Sequence, residues 1–296
     1  MRTIEFLTQN GAAYWWPVLA ALLTTLLGGV LSVAVVLKRL AFIGQGVSHA
    51  AFGGVGLALL AGVGVGSAAG DLVLLLVLIV FGVGAALGID LLARSRSARG
   101  PGAAGGADTA IGIVLAVSMA MGFVLYRLAA REAVAGGRPA PPGIESVLFG
   151  DILSVGPIDV LIAGATLVAV AGVLWWYRGP LVFAGFEPEA AEAFGVRVRA
   201  LERLLLVLAA VAIVVAVRTA GVVLASAIFV LPAATALRLS NRLSGVMVWS
   251  LAVAALGAIG GVVLSFEAGW STGPSIVLAL GAAYGASRVW NALRAG

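Results

Sequence analysis

Cysteine is absent from this 296-residue chain, so disulfides and thiolate metal centres are excluded. Histidine is nearly absent as well, His49 being the single one. One imidazole cannot make a His-Glu-x-x-His zinc-protease site, and that string does not occur. No Gly-x-x-x-x-Gly-Lys-Ser/Thr loop is present either, so ATP hydrolysis through a phosphate loop on this chain is excluded. Charge is scarce: 10% of residues are charged, against about 25% in a soluble domain. With so few nucleophile and base candidates, the chain is not expected to be an enzyme.

Apolar residues fill the space that charge leaves. They make up 62% of the sequence, and mean hydropathy is +1.14. No soluble fold can hide so much apolar surface. Runs of about 18 or more apolar residues, each able to cross ~30 Å of hydrocarbon, recur along the chain. In lipid the backbone must be helical or form a closed barrel, and continuous apolar runs exclude the short alternating strands of a barrel. The expected fold is therefore an all-α polytopic membrane protein with its domain filling residues 1–296. Its spans are read at 16–37, 42–64, 72–93, 109–128, 157–177, 201–217, 220–238, 245–266 and 273–291. Glycine or proline interrupts the second, sixth and seventh, so the expected count is eight or nine. A cleaved leader is not expected, because the first apolar run follows Tyr14-Trp15-Trp16-Pro17 with no basic region typical of one before it.

The pI near 10.4 comes from basic residues in the short segments between apolar runs, which is a topological signal and not a nucleic-acid footprint. Putting segments 38–41, 94–107, 178–200, 239–244 and the C-terminus on one side, with the span ends that flank them, collects thirteen of the eighteen Lys and Arg residues. The cationic side faces the cytoplasm, so the N-terminus is outside. Two intervening segments have features of their own. The outer loop, 129–156, contains Pro139, Pro141 and Pro142 and then Ile144 to Asp151, which suits a short amphipathic surface helix. In the inner segment 185–197, Pro188 suits a first helical turn, Glu189 and Glu192 favour the positive end, and Gly195 suits a stop.

An ionisable or ligating group inside a span is expensive and is by default a functional hypothesis. His49 is such a group. Gln45 lies four residues before it, on the same helical face. Imidazole nitrogen and amide oxygen both ligate divalent transition ions, although two donors fall short of the usual four. The competing reading is a histidine hydrogen-bonded between helices. Gly44, Gly46, Gly53, Gly54 and Gly56 surround it, and this clustering favours the lining of a pathway over ordinary packing.

Several strings occur in order along the chain: Lys38 to Ala50, Leu148 to Leu153, Glu187-Pro188-Glu189 with Ala193 to Val196, Arg218 to Ala227, Leu231 to Ala236, and Ser271 to Val277. In order and spacing they resemble the permease subunits of bacterial ABC importers for zinc, manganese or iron(II), over almost the whole length. The resemblance implies a type II ABC importer-like bundle in the bacterial cytoplasmic membrane, working as a homodimer with a second permease copy. It also implies a cytoplasmic ATP-binding subunit and an extracytoplasmic metal-binding protein, the latter docking near 144–153. Residues 185–197 would be the coupling helix, with Phe186, Glu187, Pro188, Glu189, Glu192, Phe194 and Gly195 facing the ATPase. His49 and Gln45 would contact the transported ion, with no permanently bound cofactor. The family usually carries a carboxylate where this chain has Gln45, so the implied site is weaker or more transient, with Asp71 and Glu267 as candidate compensating acids. A permease for a metal chelate or vitamin, and a proton-coupled secondary transporter, are the alternative functions.

Overall fold

The computed structural model describes residues 11–38, 41–63, 68–97, 106–137 and 155–295. Among these residues there is no strand. The helices are α1 (Gly11–Leu37), α2 (Ala41–Leu60), α3 (Ala68–Ser97), α4 (Gly106–Ala135), α5 (Pro157–Trp176), α6 (Arg178–Phe186), α7 (Pro188–Ala193), α8 (Val198–Ile228), α9 (Leu231–Leu239), α10 (Leu243–Ala268) and α11 (Thr272–Ala295). Segment 138–154, where an outer surface helix was expected, lies outside the described residues. The part of that loop from 129 to 135 is helical, because α4 continues to Ala135 before turning at Gly136–Gly137.

α8 is the axis of the bundle. It is buried along most of its length and packs against α1, α2, α3, α5 and α11. Its course shows why two spans were read here. Glu202, near its start, meets Lys38 just beyond the inner end of α1. Thr219 hydrogen-bonds Thr24 further out along α1. Beyond Gly221, Ile228 lies against Gly28, and Ala233 and Ala236 of α9 cluster with Val33 near the inner end of α1 again. The chain thus rises to Arg218–Thr219 and descends. The reversal passes through Gly221, whose φ of +80° lies in the region side chains disfavour.

Seven helical runs among the described residues are long and apolar enough to cross a membrane, and the expected eight or nine is not reproduced by that measure. There are two physical reasons. Val198–Leu239 registers as one 42-residue run although it contains a rising and a descending limb. α11 is diluted by Pro274, Ser275, Tyr284, Arg288 and several glycines and is not among the seven.

Small residues bring the helices together, as lipid requires in the absence of a hydrophobic force between spans. A Cβ added to Gly261 of α10 would lie 2.3 Å from Ile276 Cα of α11, and one on Gly257 would lie 2.3 Å from Leu280 Cδ2. Buried hydroxyls add interhelical bonds, Thr24 to Thr219 and Ser32 to Ser250, each at 3.0 Å. Such bonds contribute about 0.6 kcal/mol apiece within membranes.

Candidate functional site

α2 carries both predicted ion contacts. Gln45 and Phe42 are exposed and His49 is half-buried, forming one strip along the helix that the rest of the chain leaves partly uncovered. His49 Nδ1 is itself buried and has no hydrogen-bond partner among the described residues. A histidine that bridged two helices through Nδ1 would satisfy that nitrogen, and the described residues supply no such bond. A buried polar atom without a partner is rare enough to require a reason.

The glycines around His49 do not line a pathway, which corrects the sequence reading. A Cβ on Gly46 would approach Ile111 and Ile89 at 3.1 and 3.2 Å, and one on Gly54 would approach Phe81 at 3.1 Å. Gly56 stands 2.8 Å, by the same measure, from the Gly122 carbonyl of α4. These residues let α3 and α4 close onto α2, the helix that bears His49.

No group of three or more His, Asp or Glu side chains able to hold a metal exists among the described residues. Asp71, a candidate compensating acid, is committed elsewhere. Its carbonyl accepts a 2.6 Å hydrogen bond from Arg218 Nη1, and its carboxylate lies 3.9 Å from Nη2. Glu267 sits in the last turn of α10, a helix that packs on α1, α9 and α11. Among the described residues His49, Asp71 and Glu267 do not gather into one metal-holding group. A Gly-x-Ser-x-Gly string does occur at Gly269–Gly273, but the nucleophile elbow it would signify is a strand-to-helix turn. Here it joins two helices, with Gly269 at φ +68° ending α10 and Ser265 Oγ bonded to Thr272 Oγ1.

At the inner end the expected coupling segment is two helices, not one, joined at Glu187. Pro188 opens α7, Glu189 occupies its first turn, and Gly195 at φ +82° follows it. Glu192 lies beyond the first turn of this six-residue helix, so it does not face the positive end as expected. Ala184, Ala191, Val198 and Leu201 form a small core beneath, and the Phe183 and Phe194 rings stand 6.0 Å apart. Phe186, Glu187, Pro188, Glu189, Glu192, Phe194 and Gly195 are all exposed, Phe194 to 81% and Phe186 to 66%. Two exposed phenylalanines thus stand among three exposed carboxylates.

Two arrangements escaped sequence reasoning. Lys38 Nζ donates to the Ala184 carbonyl at 3.1 Å and pairs with Glu202 at 3.5 Å, tying α6 to α1 and α8. In the sequence Lys38 carries a topological signal and opens the Lys38–Ala50 string, and neither points to Glu202 or Ala184. At the outer end Arg218 Nε donates to Asp159 Oδ1 at 2.8 Å, while Asp159 Oδ2 accepts from the Gly156 amide at the start of α5. In the sequence Arg218 opens the Arg218–Ala227 string, which does not point to Asp159.

The sequence matches the ABC 3 transport family over residues 13–289. It is 29% identical over 260 residues to the manganese transport system membrane protein MntC of Halalkalibacterium halodurans, covering 88% of this chain and 80% of that one. To the high-affinity zinc uptake system membrane protein ZnuB of Haemophilus influenzae it is 24% identical over 260 residues, covering 88% and 90%. Among solved structures, PsaBC from Streptococcus pneumoniae in complex with Fab superposes with a TM-score of 0.77 at 25% identity, covering 96% of this chain and 93% of that one.

Proposed function

The chain belongs to the ABC 3 transport family, and on that premise we propose that it is the membrane-spanning subunit of an ATP-driven importer of a divalent transition metal ion. It works in a bacterial cytoplasmic membrane, as a dimer with a second permease copy. A cytoplasmic ATP-binding subunit drives it, and an extracytoplasmic protein delivers the metal, which is Mn, Zn or Fe as cargo. Relatives named for manganese and zinc transport support the cargo class.

The observation that carries the reading is the unpartnered Nδ1 of His49 on the open strip of α2. One copy offers an imidazole and an amide. Two copies meeting across the strip would offer two of each, the four donors that a transition ion usually takes. All four are neutral, so the ion keeps its charge in a low-dielectric setting. The contact is therefore a brief stop on a path and not a store. Energy enters through α6 and α7, whose exposed Phe186 and Phe194 and carboxylates Glu187, Glu189 and Glu192 suit a cleft with apolar walls and a basic rim.

The test is reconstitution of the chain with its ATPase and binding protein in proteoliposomes, measuring uptake of Mn²⁺, Zn²⁺ and Fe²⁺ separately. Accumulation of at least one ion should require ATP and both partners. Uptake that persists without the ATPase would sink the reading and favour a secondary transporter.

A further inference from the structure

The sequence Trp175-Trp176-Tyr177-Arg178 closes α5 and opens α6, with the two tryptophans 63% and 75% exposed. An exposed aromatic band followed by a cation marks headgroup depth at the edge of the hydrocarbon. Directly beside it, the inner end of α1, the length of α6 and the start of α10 enclose an apolar cleft of about 120 Å³. Val30, Ala34, Leu174, Val182 and Met247 contribute to its walls, and Lys38 and Arg178 supply its charge.

The two cations are not equivalent. Lys38 is shared with Glu202 and the Ala184 carbonyl. Arg178 is exposed and its guanidinium stands 5.0 Å over the Trp175 ring, a contact that orients the cation and leaves its hydrogen-bond donors free for an oxyanion. Apolar walls alone would suit any acyl chain. Apolar walls with two cations and no acid in the lining select a chain whose head is an anion at headgroup depth.

We propose that this cleft is a binding site for an anionic phospholipid of the inner leaflet, with an acyl chain between α1, α6 and α10 and the phosphate on Arg178. The bound lipid touches Gly185 as well, which lines the cleft. It is a site distinct from the His49 strip and does not depend on which ion the chain carries.

The assembled complex, purified in detergent, is incubated with phosphatidylglycerol or phosphatidylcholine, and retained lipid per permease subunit is counted by native mass spectrometry. The wild type should retain phosphatidylglycerol in preference to phosphatidylcholine. Arg178→Gln should lower phosphatidylglycerol retention by about fivefold and leave phosphatidylcholine unchanged, the effect of one interfacial cation. Gly185→Leu is the second variant. A Cβ there meets nothing within 4 Å, so the substitution fills the cleft without a clash at that atom and should expel the acyl chain while Arg178 remains. Equal retention of the two lipids, or phosphatidylglycerol retention unchanged in both variants, would overturn the proposal. So would displacement by millimolar inorganic phosphate, which would make this a free-anion site.

Discussion

Arg218 Nε lies 2.8 Å from Asp159 Oδ1, and this one contact ties the top of the rising limb of α8 to the first turn of α5. Both side chains are largely shielded, 14% and 18% exposed, and Asp71 of α3 joins them through its carbonyl. Three helices are held together one turn before the chain reverses at Gly221. Removing Asp159 leaves the shielded Arg218 with only the more distant Asp71 carboxylate, 3.9 Å away, to offset its charge. Asp159→Asn should therefore destabilise by about 2–4 kcal/mol, somewhat discounted for the residual exposure. The double variant Asp159→Leu with Arg218→Met should lose less than the sum of the singles. Thermal unfolding in one detergent of the wild type, Asp159→Asn, Asp159→Leu, Arg218→Met and the double variant checks both statements.

Neighbouring glycines make a sharper packing test. Gly261→Ala forces a methyl group to within 2.3 Å of the Ile276 Cα, whereas Gly260→Ala meets nothing within 4 Å. Overpacking of this kind costs about 1–3 kcal/mol, and more where the obstacle is backbone. Gly261→Ala should lower the melting temperature or the yield of folded protein markedly, while Gly260→Ala behaves as wild type. Equal behaviour of the two would contradict the α10–α11 contact described above.

Much of this was legible in the sequence, for reasons visible in single residues. Long apolar runs can only be helices in lipid, so the spans were readable, and Pro188 and Gly195 announced the limits of α7 because each has a backbone preference of its own. The reversal near Gly221 was legible as two apolar runs, 201–217 and 220–238, parted at Arg218-Thr219, although Gly221 itself was read inside the second run. The pairing of Arg218 with Asp159, 59 residues apart, was not, because nothing local marks which carboxylate an arginine will meet. The glycines near His49 misled for a related reason: composition shows where backbones can approach, not which element approaches. α6 was missed because its nine residues sit between a span end and an expected loop helix, with no polar stretch to set it apart.

Phe194 and Phe186 are the most exposed aromatic side chains of the inner surface elements. If they enter the ATPase cleft, Phe194→Ala should weaken association of the two subunits by about 30-fold, as expected for a central aromatic anchor. Surface plasmon resonance against the isolated ATPase measures this, with the permease held in nanodiscs. The melting temperature should hardly change, since the side chain buries little in the free chain.

Lys38 joins the docking element to the end of α1, immediately before the helix that bears His49. Lys38→Met keeps the apolar stem and removes the tie. Uptake per ATP hydrolysed should fall by about fivefold or more while basal ATPase activity persists, the size of a typical coupling term. Parallel loss of hydrolysis and uptake would mean instead that Lys38 supports assembly.

The central claim is that the ion passes His49 on α2 under ATP drive. Its most direct measurement is ATP-dependent accumulation of Mn²⁺ or Zn²⁺ by proteoliposomes carrying the assembled complex, comparing wild type, His49→Ala and Gln45→Asp. The account predicts uptake at the no-ATP background for His49→Ala with subunit assembly intact, and longer metal retention for Gln45→Asp because a carboxylate offsets the ion's charge. Wild-type accumulation by His49→Ala would contradict it.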